Sequence, residues 1–113
     1  MESKVVKQGQ AVVIALDGEL DVSVAPRLKS LLKETIESGE HKLVVDMKGV
    51  KFIDSACLGV MVNAHRLAVD RKSRIVFAQS SEQVRKIFEL TRADRHLAFY
   101  PSIDEALKSF ASS

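Results

Sequence analysis

The chain has 113 residues, 46% of them hydrophobic and 28% charged, which predicts one globular domain over residues 1–113 and excludes a disordered chain. Its 17 basic and 15 acidic residues give a net charge of +2 and are interspersed, and only 5% are aromatic, so no basic block or stacking platform predicts a nucleic-acid partner. With one cysteine, no apolar signal core and no membrane-length apolar run, we expect a cytoplasmic protein without an intrachain disulfide or a membrane partner.

Two strands are predicted at the start of the chain, near residues 4–8 and 11–17, with a turn at Gly9-Gln10. The β-branched run VVI at residues 12–14 is typical of a strand that is covered on at least one face.

The segment DVSVAPRLKSLLKETIESGEHK predicts the first helix, because its apolar residues recur at helical spacing: Leu28, Leu31, Leu32 and Ile36. We expect Ser23 to cap its N-terminus, Pro26 to lie in its first turn and Gly39 to end it. The apolar segment KLVVDM that follows is typical of a strand buried in a sheet.

The second half of the sequence also alternates between predicted helices and strands. A helix is predicted from about Ser55 to Arg71, then a strand at RIVFAQ, a helix in SSEQVRKIFELT, a short strand at HLAFY and a last helix in PSIDEALKSFA. Ser102 and Glu105 have the spacing of a capping box in that last helix. The order β-β-α-β-α-β-α-β-α requires crossover connections, so we expect an α/β fold with a largely parallel sheet.

The start of the central helix is the strongest candidate for a functional site. Free backbone N–H groups and the positive end of the helix dipole make such a position suitable for an anion, and Asp54 and Ser55 both lie there. The alternative is that one of the two residues is simply the N-cap.

The first two turns of this helix, ACLGVMVNA at residues 56–64, are apolar nearly all round. Such a surface is either covered by other parts of the domain or exposed for a partner. Gly59 has the same two interpretations, since a helical glycine costs about 1 kcal/mol relative to alanine and is tolerated where another backbone comes close. That backbone belongs either to a partner or to the sheet.

An enzyme that uses Cys57 is a further alternative, because a helix N-terminus lowers the pKa of a thiol. Catalysis also needs a base within reach, and neither His41, His65 nor His96 has a spacing that points to Cys57. A buried cysteine is the simpler interpretation. No metal motif or glycine-rich phosphate loop is present in the sequence, so we expect neither a metal nor another cofactor.

Two motifs resemble the STAS family, in particular the bacterial anti-sigma factor antagonists: FIDSACLGV at residues 52–60 and LDGELD at residues 16–21. Element order and length agree over essentially the whole chain. The resemblance implies a single STAS domain with a small mixed sheet and about four helices packed mainly on one face.

The same resemblance implies a binding module rather than an enzyme. Family members bind an anti-sigma factor that is also a serine kinase, and a metal-dependent serine phosphatase reverses the phosphorylation. The acceptor matches Ser55, with Asp21 and Asp54 as the acidic residues beside it. This chain departs from the family signature at Ala56, often Ser or Thr, and at Cys57, usually Gly.

The expected partner interface surrounds the acceptor and comprises Glu19, Leu20, Asp21, Asp54, Ser55, Ala56, Cys57, Leu58, Gly59, Met61 and Val62. An alternative within the family is a non-catalytic STAS subunit of a multiprotein complex, such as a stress-signalling assembly or a lipid-transport ATPase.

Overall fold

A computed structural model describes residues 1–111 and contains one five-stranded sheet. The strands are β1 (Glu2–Gln8), β2 (Ala11–Leu20), β3 (Lys42–Ile53), β4 (Arg74–Ala78) and β5 (Phe99–Tyr100), and they lie side by side in chain order. The β1–β2 pair is antiparallel, and every later pair is parallel. The expected mixed, largely parallel sheet is confirmed.

Four helices connect or follow these strands: α1 (Ala25–Glu37), α2 (Ser55–Asp70), α3 (Glu82–Leu90) and α4 (Ile103–Ala111), with a short 3₁₀ helix at Ala93–Arg95. Side chains of α1, α2 and α3 join one face of the sheet in the main core. Among residues 1–111, only α4 covers the other face, where it forms a second, smaller cluster around Val44, Val76 and Phe110. Helices therefore pack mainly on one face, as expected.

Strand β3 is longer than the predicted segment KLVVDM, because it continues to Ile53 and pairs with β2 as far as Leu20. This extension needs a close backbone approach at Gly49, where a Cβ atom would lie 3.0 Å from the backbone carbonyl oxygen of Leu16. Two register shifts in the β2–β3 ladder lie in the same region. The ends of β2 and β3 therefore reach the start of α2 together.

The termini of the helices partly match the sequence prediction. Ser23 is not the N-cap of α1, since Val24 holds that position without a side-chain hydrogen bond. Gly39 lies just beyond α1 with a φ of +96°, as a helix-ending glycine requires. The predicted strand HLAFY is shortened to Phe99–Tyr100.

The predicted N-cap of α4 is confirmed, because Ser102 Oγ accepts a hydrogen bond from Glu105 N at 3.1 Å. Across residues 1–111, no helix is both long enough and apolar enough to cross a lipid bilayer.

Candidate functional site

The two sequence motifs meet where the end of β2 touches the start of α2. Asp54 N donates to the carbonyl oxygen of Leu20 at 3.0 Å. One helical turn later, Cys57 Sγ donates to the carbonyl oxygen of Asp21 at 3.2 Å. These two contacts fix the GELD segment against the first turn of α2.

Asp54 and Ser55 have different roles at this helix start. Asp54 is the N-cap, with extended backbone and Oδ1 accepting from Cys57 N at 3.1 Å. Ser55 is the first residue of α2, its side chain is exposed, and its hydroxyl makes no hydrogen bond to any of residues 1–111. The capping role therefore belongs to Asp54, and the Ser55 hydroxyl is free to meet another molecule.

The backbone around Ser55 offers donors to an anion. The N–H groups of Asp54 and Cys57 are already bonded, to Leu20 O and Asp54 Oδ1 respectively. Those of Ser55 and Ala56 have no acceptor among the described residues. Two unpaired N–H groups at the positive end of a sixteen-residue helix can hold a phosphate on the neighbouring side chain.

Asp21 adds a second carboxylate at the edge of the site. Its Oδ1 accepts from Ser23 N at 3.0 Å and also from Ser23 Oγ. These hydrogen bonds, first the one from the Ser23 hydroxyl and then the one from its backbone N–H, lower the pKa of Asp21. Asp21 therefore keeps its negative charge at neutral pH, close to the GELD–α2 contact.

Much of the apolar start of α2 is covered by the domain itself. Four residues of the expected interface are buried: Leu20, Cys57 and Met61 are 0% exposed and Leu58 is 7% exposed. Cys57 and Met61 share one side of α2 with Ala64 and Ala68, at helical spacing, and this side packs into the main core. The prediction that these four side chains face a partner is therefore wrong.

The remaining expected interface residues stay accessible. Glu19 and Ser55 are exposed, and the others are half-buried: Asp21, Asp54, Ala56, Gly59 and Val62. A Cβ atom placed on Gly59 would have no neighbour within 4 Å. Gly59 thus does not pack against the sheet, which excludes one of the two interpretations of this glycine.

Residues 2–106 match the STAS domain family, which is nearly the whole chain. The chain belongs to the STAS domain family. An anti-sigma-B factor antagonist of Listeria monocytogenes is 32% identical over 78 residues, which are 69% of this chain and 68% of that protein.

Two solved structures show the same STAS fold. An anti-sigma factor antagonist from Mycobacterium paratuberculosis matches with a TM-score of 0.87 at 22% identity, covering 96% of this chain and 92% of that one. The Bacillus cell fate determinant SpoIIAA, in its phosphorylated form, matches with a TM-score of 0.71 at 20% identity, covering 96% and 99%.

Two apolar side chains, one inside a STAS motif and one directly after the other motif, were not predicted to be part of the site. Val22 is 69% exposed and Phe52 is 42% exposed. Val22 lies between Asp21 and Ser23 in the turn after β2, and Phe52 pairs with Glu19 just after a register shift. The exposure of Val22 could have been predicted from the sequence, because it is an apolar residue inside a polar turn. The exposure of Phe52 could not, because it depends on the register shift.

The Cys57 thiol is unsuited to nucleophilic catalysis. Burial, followed by the charges of Asp54 and Asp21, raises its pKa to about 11. The thiol is also 0% exposed and donates to a backbone carbonyl. The alternative of an enzyme that uses a Cys57 thiolate is therefore contradicted, and the cysteine instead ties the two STAS motifs together.

The contacts of the three histidines do not involve Cys57. Burial, followed by the charges of His96 and Arg66, lowers the pKa of His65. His41 Nδ1 lies 3.4 Å from Ser73 Oγ. Residues 1–111 contain no group of three or more His, Cys, Asp or Glu side chains that could hold a metal ion.

Proposed function

We propose that this STAS domain is an anti-sigma factor antagonist, a non-catalytic binding module. It binds an anti-sigma factor that is also a serine kinase, is phosphorylated at Ser55 and is restored by a metal-dependent serine phosphatase. The free, exposed hydroxyl of Ser55 at the first position of α2 carries the proposal. The name of the Listeria relative supports the same role. The cytoplasmic location and the single-domain organisation over residues 1–113 are part of this proposal.

The partner surface is smaller than the sequence suggested and centres on the rim of the helix start. Phe52 and Val22 offer exposed apolar area on it, and aromatic residues are common energetic anchors of interfaces. Gly59 allows a partner backbone to approach α2 without a side chain between them. Ser55 lies one helical turn from Gly59, so the bound kinase reaches the acceptor.

Phosphorylation opposes binding through charge. A phosphate on Ser55 adds about −1.5 to −2 units of charge and three acceptor oxygens. The free N–H groups of Ser55 and Ala56 can hold it without disturbing the fold. It nevertheless lies beside the Asp54 cap and near ionised Asp21, and covering this cluster of like charges with a partner is unfavourable.

The proposal is tested by phosphorylation and binding measured together. The partner is first captured from the native host with the purified protein and identified by mass spectrometry. Incubation with that kinase and ATP should place one phosphate on Ser55. Ser55→Ala should abolish the phosphate, while Ser30→Ala, at an exposed serine of α1, should not change it.

Binding of Ser55→Asp to the same partner should be at least tenfold weaker than that of the native protein, with melting unchanged. A mutant that binds as tightly as the native protein, or that unfolds, would contradict the charge mechanism. A native protein that joins a larger complex and gains no phosphate on Ser55 would instead indicate a structural STAS subunit.

A further inference from the structure

A groove of about 260 Å³ lies between α1 and α2, away from the phosphoacceptor. Its apolar lining comes from Leu32 of α1 and from Val60, Ala64 and Leu67 of α2. Leu32 is 0% exposed and Ala64 is 7% exposed, so they lie at the base of the groove, and the half-buried Val60 and Leu67 supply accessible apolar surface above them. The groove begins at Val60, five residues after Ser55.

Two lysines of α1 line the same groove. Lys29 and Lys33 are exposed and lie four residues apart, on one side of the helix. Neither has a salt-bridge partner within residues 1–111, although Lys7 is paired with Glu40 in the same structure. Like charges at this spacing repel each other, and an anion between them would remove that repulsion. Asn63 adds an amide group to the lining.

We propose that this groove binds a free medium-chain carboxylate, with the alkyl chain along the apolar lining and the carboxylate beside Lys29 and Lys33. A concave, mainly apolar site with a few charged groups is typical of small-molecule binding. The lining of α2 from Val60 to Leu67 is about 10 Å long, which suits a single alkyl chain. A partner's helix, about 10–12 Å wide with its side chains, is too large for this volume. The inference is independent of the proposed function.

Octanoate is the probe, added below its micelle concentration and followed by NMR of the methyl groups of Leu32, Val60, Ala64 and Leu67. These signals should shift together and saturate. Each methylene added between butanoate and octanoate should tighten binding about two- to fourfold, because each enters the apolar groove. Neutral octanol should bind at least threefold more weakly than octanoate.

The variants test the charge and the volume separately. Lys29→Glu combined with Lys33→Glu should weaken octanoate binding at least tenfold. The matched control, Lys86→Glu combined with Lys108→Glu, reverses the same charge at exposed sites on α3 and α4 and should leave binding unchanged. Val60→Phe fills the groove with a ring and should abolish saturable binding.

Three results would overturn the inference. One is an equal response at Val69 and Leu90, which are 58% and 76% exposed elsewhere on the surface, because it would indicate non-specific adsorption. The second is the same octanoate affinity in the Lys29/Lys33 and Lys86/Lys108 double variants. The third is that octanoate does not shift the groove methyl signals but a purified protein partner does. That partner would then be the occupant of the groove.

Discussion

Gly59→Ala should strengthen the fold and weaken the partner complex, two effects of opposite sign from one methyl group. Gly59 is one turn into α2, and its added Cβ would have no neighbour within 4 Å. The change therefore gains the helix propensity of alanine without a clash, about 0.8–1 kcal/mol. With an unfolding entropy of about 2.1 cal/mol/K per residue, this raises Tm by about 4 °C.

The assay combines thermal unfolding with calorimetric titration of the anti-sigma factor. If a partner backbone approaches Gly59, the methyl group should weaken binding about tenfold, the usual scale of an overpacked contact. Ser30→Ala is the control, since it also favours a helix but lies on α1, so it should raise Tm slightly and leave binding unchanged. A lower Tm for Gly59→Ala would show that the space is not open, and unchanged affinity would remove Gly59 from the interface.

Three further predictions concern the same site. Asp54→Ala removes the N-cap of α2 and should lower the free energy of unfolding, measured by chemical denaturation, by about 1 kcal/mol. An unchanged free energy of unfolding would show that Asp54 is not the cap. Because the pKa of Asp21 is lower in the folded state than its unfolded value near 3.9, the ionised carboxylate stabilises the fold. The difference in the free energy of unfolding between the native protein and Asp21→Asn should therefore have its full value above about pH 5. It should disappear as the pH falls through the lower folded-state pKa. With its pKa raised to about 11, Cys57 should react with a thiol reagent at pH 7.5 at least 100-fold more slowly than free cysteine, and an equal rate would contradict its burial.

The order of elements could be predicted because local patterns carry it. Apolar residues at helical spacing identify α1, and the β-branched run at residues 12–14 identifies β2. The length of β3 could not be predicted in this way. After Met47, the residues Lys48, Gly49 and Lys51 have little strand preference and interrupt the apolar pattern, and pairing with the end of β2 holds this segment extended.

The position of the candidate site could be predicted from the sequence, but the exposure of its side chains could not. Ser55 and Asp54 stand at the helix start where the motif placed them. The exposure of individual α2 side chains depends on how the helix is rotated against the sheet. Because apolar residues surround its first two turns, their pattern could not show that Met61 faces the core while Val62 remains half-exposed.

Among residues 1–111, α4 is the one helix on its side of the sheet, so we expect it to open separately from the larger cluster. Its detachment would uncover Val44 and Val76 while the cluster holding α1, α2 and α3 stayed closed. Amide protons of α4 should therefore exchange with solvent before those of the central strands, through a partial opening that leaves the phosphoacceptor helix in place. We therefore expect a protease or a chaperone to gain access to this domain first at α4.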